Sequence, residues 1–294
     1  MITFYMHIPK TGGTTLQAWL ERLYGSEGLL LWNPQKLWNL NRIRQELTVL
    51  LAERPGVRAV AGHYPYGVHE AIHGRDYRYV TFLRDPVDRW ISARIHHLTK
   101  NADRVLLRRE FTTAYGNPDL FQLLQASIIG DYDVDMQSRF IRHGRSPPAA
   151  GLKPGHDLSD AEALDRFWFI GRQESLAEDC RRLTRLLGCA DTPLPPPQNV
   201  AGLGDIRGAL TADEIAWIEG RNAVDIALCR RVPAFTASLP AARTSTSNRQ
   251  ELTAAILHAA FRRISECFVA LHADRLEAQK IMDAYAAREA CQPV

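Results

Sequence analysis

The sequence predicts an α/β fold in three layers, with a central, mainly parallel sheet flanked by helices. Two observations carry this. Strand-length runs of apolar, β-branched and aromatic residues alternate with longer stretches whose apolar residues recur every three or four positions. The chain also opens on a short apolar strand that feeds a glycine-rich loop and then an amphipathic helix, the connection from which parallel α/β units are built. At 294 residues, 46% hydrophobic and 23% charged, it has ample material for a buried core and the balance of an ordinary globular protein.

The elements follow in order. Ile2, Phe4, Met6 and Ile8 mark the first strand. The loop Pro9-Lys10-Thr11-Gly12-Gly13-Thr14-Thr15 leads to a helix with apolar Leu16, Trp19, Leu20 and Leu23. Thr14 or Thr15 is suited to cap its start and Gly25 to end it. Residues 29–32 read as irregular, and a helix is expected over 40–53 before Pro55-Gly56. Val57 to Ala61 forms the second strand, closed by Gly62-His63. Tyr77 to Leu83 is the third, rich in β-branched and aromatic residues. Asp85 then stands as an N-cap with Pro86 in the first helical position. A further helix starts near Asn117-Pro118, and residues 144–157, rich in Gly and Pro, form a surface loop. Phe167 to Gly171 is a fourth strand, apolar throughout and therefore expected at the centre of the sheet. A helix over 175–187 ends at Gly188, and Pro193 to Pro197 is a stiff connector. Thr211-x-x-Glu214 is a capping box opening a single helix over 210–231. Residues 1–235 are expected to form the catalytic domain, 236–249 a linker, and 250–294 a C-terminal helical extension. In that extension Leu252, Ile256, Ala260, Ile264, Phe268 and Leu271 make one apolar stripe, packed on its own domain or on a second copy in a homodimer.

The formal charge of +3 gives no sign of wholesale nucleic-acid binding. The five cysteines are odd in number and scattered without metal-ligand spacing, which fits reduced thiols. No apolar run reaches transmembrane length and no signal peptide is read, so a cytoplasmic protein without a membrane segment is expected.

The opening strand, loop and helix form an anion-binding device. Main-chain N–H groups and the helix dipole converge on one spot, Gly12 and Gly13 permit close approach, and Lys10, Thr11, Thr14 and Thr15 add a charge and hydroxyls. Nucleotide-triphosphate loops place their Lys after the last Gly; here Lys10 precedes both. His63 follows the C-terminal end of a predicted parallel strand, the edge at which open α/β sheets bind ligands. Arg84 sits at another such strand end, beside a helix start, able to fork onto a phosphate.

The string Pro9-Lys10-Thr11-Gly12-Gly13-Thr14-Thr15 resembles the 5′-phosphosulfate loop of the sulfotransferases that use 3′-phosphoadenosine 5′-phosphosulfate (PAPS). The likeness is to the carbohydrate type, which includes the heparan sulfate 2-O-sulfotransferases and bacterial relatives. Arg84-Asp85-Pro86-x-x-Arg89-x-x-Ser92 resembles the second signature of that family. The resemblance implies a P-loop-like fold, PAPS as donor and PAP as product; no metal is expected, because the leaving group is already stable as a phosphate, the loop supplies positive charge and no cluster of ligand residues is spaced for one. It implies that Arg84 and Ser92 hold the 3′-phosphate, with Arg207 as a second clamp from a closing loop, and that Arg89 and Glu174 are structural. It implies His63 as the base that takes the acceptor hydroxyl's proton. Lys10 is then placed to stabilise charge on the leaving oxygen. Met136-Gln137-Ser138-Arg139 resembles an element of bacterial relatives, and the sequence leaves open whether Gln137 and Arg139 reach the cleft. Asn222-x-x-Asp225-x-x-Leu228 resembles the helix that ends the catalytic domain. The implied acceptor is a hydroxyl of an oligosaccharide or glycolipid. Two alternatives stay open on the residues alone: a P-loop-type kinase using ATP, and a nucleotide-binding protein that catalyses nothing.

Overall fold

The computed structural model describes residues 1–34, 40–64, 66–72, 74–100, 119–127, 133–143, 159–196, 205–232, 248–260 and 262. The chain forms two compact units. The first comprises Met1–Ala93, Ile129–Gly202 and Leu210–Ser245, and the second Arg94–Ile128, Leu203–Ala209 and Thr246–Val294.

The first unit holds a five-stranded parallel sheet. Its strands are β1 (Ile2–Met6), β2 (Leu29–Leu31), β3 (Ala59–Gly62), β4 (Tyr77–Leu83) and β5 (Phe169–Arg172), in the order β2-β3-β1-β4-β5. β1 lies at the centre, with Phe4 opposite Val60 on one side and Tyr79 on the other. All described pairings are parallel, so every strand delivers its C-terminal end, and the loop after it, to one edge.

The two faces follow from the period-two alternation of β1. Ile2, Phe4 and Met6 belong to one core cluster, with Ile43 and Leu47 of α2 (Leu40–Glu53) and with Phe140, Ile141 and Leu228. Tyr5 points the other way, into a cluster with Leu16, Trp19 and Leu20 of α1 (Gly13–Gly28). Cys180 and Leu183 of a later helix (Leu176–Leu187) belong to that second cluster. The sheet is therefore covered on both faces, which gives the expected three layers. Trp19 is fully buried, and its indole Nε1–H donates to the Thr192 carbonyl at 2.8 Å, tying the residue before the stiff connector to α1.

Several expectations need correction. Residues 29–31 form strand β2 rather than irregular chain; three leucines carry no alternation, and the strand exists because β3 offers a parallel partner. β5 is an edge strand, not a central one. Its apolar character is partly spent on the helix beside it, and Trp168 just before it remains exposed. Neither Thr14 nor Thr15 caps α1: its N-cap is Gly12, with φ 88°. Gly25 does break that helix, at φ 67° and ψ 174°. The expected helix over 210–231 is two helices, Ala212–Arg221 and Ala223–Arg231, parted at Asn222. The Thr211–Glu214 capping box opens the first of them, with both of its hydrogen bonds made.

In the second unit, Asp119 and Gln122 form a reciprocal capping box on the helix Leu120–Ala126. Arg94 Nη1 donates to the Gln125 carbonyl at 2.9 Å, and Arg249 pairs with Asp119 at 3.2 Å. Residues 249–260 are helical, and Leu252, Ile256 and Ala260, at steps of four, are buried within the chain. This part of the stripe is therefore used within the chain; its remaining members lie outside the described residues, as do the basic run Arg104, Arg108 and Arg109 and the loop at 144–157. Among the described residues, no helix is long and apolar enough to cross a membrane, and Cys180, Cys189 and Cys229 are free thiols. Burial pushes the Cys180 thiol up to about 12, which suits an unreactive core residue.

Candidate active site

The site is built at the C-terminal ends of β1, β3 and β4. After β1 the chain turns through Lys10, which takes a left-handed conformation at φ 72°. Such a conformation costs a non-glycine residue about 1 kcal/mol or more and persists where the surroundings impose it. Thr11 is buried, and its hydroxyl donates to the Ile8 carbonyl at 2.9 Å. That hydroxyl braces the turn from within. Gly12 follows at φ 88°, and no side chain caps the helix it opens. The positive end of α1 is thereby directed at whatever lies over the loop, and an anion is the favoured occupant. Thr14 is exposed there, whereas Thr15 is buried in the helix.

Gly13 is required for a different reason. A Cβ there would fall 1.7 Å from Cε1 of His7. The His7 imidazole lies directly against the first turn of α1, and only a glycine leaves it room. His7 is not among the residues that the sequence motifs single out. The signal was available: it stands one residue past β1, at the sheet edge that also singled out His63.

The two histidines form a unit. Their rings stack with centroids 4.4 Å apart and planes at 29°. His63 Nδ1 lies 2.7 Å from the His7 carbonyl oxygen. A carbonyl can only accept, so His63 Nδ1 carries the proton, and in the neutral ring Nε2 keeps its lone pair. The His63 main-chain N–H is held by Asn33 Oδ1 at 2.8 Å, and Gly62 before it lets the Trp32 carbonyl pass where a Cβ would collide. Burial lowers the His63 pKa, partly offset by its bond to the His7 carbonyl. Burial first, then the neighbouring His63 and Lys10, hold His7 well below the usual imidazole value. His7 Nε2 is buried with no hydrogen-bond partner among the described residues. The pair lines a cleft of about 170 Å³ together with Gly13, Thr14, Gln17 and Asn33.

Arg84 closes the other side of the loop. It follows β4, and its Nη1 reaches the Lys10 carbonyl at 3.3 Å. Nε is buried without a partner among the described residues, so the guanidinium has capacity for an anion. Asp85 caps the next helix, α3 (Pro86–Lys100), by accepting from the Asp88 N–H at 3.0 Å. Glu174 Oε1 accepts the Asp85 N–H at 2.6 Å, the structural part expected of it. Arg89 is completely buried and donates to the Asp133 carbonyl; it also braces rather than binds. Ser92 is half-buried on α3. Gln137 is completely buried, and Arg139 is half-buried. His69 is half-buried, stacked on Tyr77 at 3.9 Å with Nδ1 3.1 Å from the Tyr79 hydroxyl. Arg207 opens a short 3₁₀ helix, Arg207–Ala209, in the second unit. The structure thus gathers Lys10, Thr11, Gly12, Gly13, Thr14, His63 and Arg84 around the loop in one unit.

The sequence matches the sulfotransferase family over residues 3–202. The chain belongs to the sulfotransferase family. The match covers every residue just gathered and decides between the sulfuryl and phosphoryl readings of the loop. The protein is a PAPS-dependent sulfotransferase, an enzyme with PAPS as sulfuryl donor and PAP as product. No curated protein matches the chain. Among solved structures, the chain is similar to the crystal structure of mouse sulfotransferase SULT7A1 complexed with PAP, at 12% identity, 98% coverage of this chain, 88% of that chain and a TM-score of 0.34. An uncapped helix start beside a buried guanidinium with spare donor capacity is a fit surface for a nucleotide with two phosphate groups.

Proposed function

We propose that this sulfotransferase sulfates a hydroxyl of a carbohydrate acceptor, an oligosaccharide or glycolipid, with His63 as general base. The observation that carries the base assignment is the 2.7 Å bond from His63 Nδ1 to the His7 carbonyl. It leaves Nε2 as the free lone pair of a ring that burial keeps neutral. His63 Nε2 takes the proton as the acceptor oxygen attacks sulfur, and the bond from sulfur to the bridging phosphate oxygen breaks in line. The electron pair stays on that oxygen, where Lys10 and the N–H groups of Gly12, Gly13 and Thr14 meet the growing charge. Arg84 and Ser92 take the 3′-phosphate. The catalytic domain is taken as residues 1–235, acting in the cytoplasm as a bacterial-type enzyme. The carbohydrate acceptor is supported by the Pro-Lys-Thr-Gly-Gly-Thr-Thr loop, which resembles the carbohydrate type.

The test combines two variants with labelled PAPS and an acceptor panel of glycans, glycolipids and small alcohols. His63→Ala is expected to lower turnover by roughly 10²–10⁴-fold while binding PAP as the wild type does. Near-normal transfer by that variant would remove His63 as the base. Lys10→Ala is expected to weaken both PAP binding and turnover. Transfer to small alcohols but to no glycan or glycolipid would overturn the carbohydrate assignment and leave the base untouched.

A further inference from the structure

Beyond Leu83 the chain leaves the sheet. The last ladder bond there runs from the Gln173 N–H to the Leu83 carbonyl at 2.8 Å. The next residue is Arg84, whose main chain has no strand beside it. A side chain takes the strand's place. Gln137 Oε1 accepts the Arg84 N–H at 2.8 Å, and Gln137 Nε2 donates to the Arg84 carbonyl, also at 2.8 Å. One carboxamide satisfies both main-chain groups of a single residue, as a neighbouring peptide would. Glutamate could accept but not donate, and an apolar residue would leave both groups unpaired.

Gln137 is itself held. Its N–H donates to Asp225 Oδ2 at 3.1 Å and that of Ser138 to Asp225 Oδ1 at 2.7 Å. Asp225 is completely buried, and its own N–H donates to Asp135 Oδ1 at 3.0 Å. The side chain that holds Arg84 is thus seated by a carboxylate on the helix Ala223–Arg231, beyond residue 202 where the family match ends.

We propose that Gln137, seated by Asp225, is the positioning residue for Arg84: it holds the main chain at the end of β4 so that the guanidinium presents its spare Nε–H to a phosphate of the bound nucleotide. This rests on the reading of Arg84 as a phosphate ligand. An arginine side chain has several rotatable bonds, and binding is tightest when the ordering of its root is complete before the ligand arrives.

The experiment is a double-mutant cycle on the full chain, with PAP binding followed by calorimetry and turnover measured at saturating donor. Gln137→Met keeps the volume and removes both bonds. It is expected to weaken PAP roughly tenfold and to change saturated turnover by less than about threefold. In the Arg84→Ala background the same substitution is expected to weaken PAP no further, because its effect passes through Arg84. Wild-type affinity in Gln137→Met, or full additivity of the two losses, would overturn the inference and leave Gln137 a packing residue. If Arg84→Ala alone leaves PAP affinity unchanged, the phosphate reading of Arg84 falls, and this inference falls with it. Should Gln137→Met fail to fold, Gln137→Glu, which keeps one of the two bonds, carries the same cycle with an intermediate loss expected in the Arg84 background alone.

Discussion

Gly13 shows how one residue can bind the chemistry to the fold. At a helix start, exchange of Gly for Ala is ordinarily neutral or stabilising by up to about 1 kcal/mol. Here the added methyl would enter the His7 ring. His7 must then leave its stack on His63, and the carbonyl that fixes the His63 tautomer shifts with it. Gly13→Ala is expected to lose turnover roughly a hundredfold, the order of effect of a small misplacement at a reacting centre. Its melting temperature should fall far less than that loss would suggest. A labelled-donor assay beside a thermal melt checks both. Turnover within a few-fold of wild type would show that the His7 ring has no influence on the base.

At the scale of elements, the break at Asn222 is the informative feature. The capping box and the apolar periodicity predict one helix, and the chain makes two. Asn222 is completely buried; its Nδ2 donates to the Ile218 carbonyl at 2.9 Å and its Oδ1 accepts the Asp135 N–H at 3.2 Å. Asp135, at φ 47°, returns the contact by accepting the Val224 and Asp225 N–H groups, each at 3.0 Å. The exchange locks the turn before Gln137 to the start of the helix Ala223–Arg231. Removing one partner leaves a buried donor unmet. Asn222→Ala is therefore expected to cost about 1–3 kcal/mol, read as a lower urea midpoint with an unchanged slope. A loss below about 0.5 kcal/mol would mean that the turn holds without it.

The pH response belongs to the whole molecule. His7 and His63 both sit below the usual imidazole value in the fold, chiefly through burial, and return to about 6.5 on unfolding. The unfolded chain then binds more protons than the native one in weak acid, so stability rises with pH. Their contribution is present in full above about pH 6.5 and is lost as pH falls through that value toward the lowered native values. Urea midpoints are expected to be level from about pH 7 to 8 and to decline below about 6.5. In a His7→Phe, His63→Gln double variant the decline should be shallower until carboxylates begin to titrate. An unchanged decline would place the responsible groups elsewhere.

The sequence by itself determined the strand–loop–helix at the amino terminus, the strand Tyr77–Leu83 and the helix Leu40–Glu53. These are local properties: a period of two or 3.6, a cap beside a proline, and the order of a lysine and two glycines are all written within a few consecutive residues. Lys10, the loop glycines, His63 and Arg84 were legible for the same reason, since each closes or follows a readable strand. Only the tertiary structure decided that β5 lies at the edge, that His7 stacks on His63, and that Gln137 faces Arg84 rather than the cleft. Those outcomes depend on partners far apart in the chain: His7 and His63 are 56 positions apart, Arg84 and Gln137 are 53. No periodicity records which buried donor will meet which acceptor once the sheet order is set. A glutamine reads the same in a cleft and in a core, and its role emerges only when a main chain with two unmet groups is folded against it.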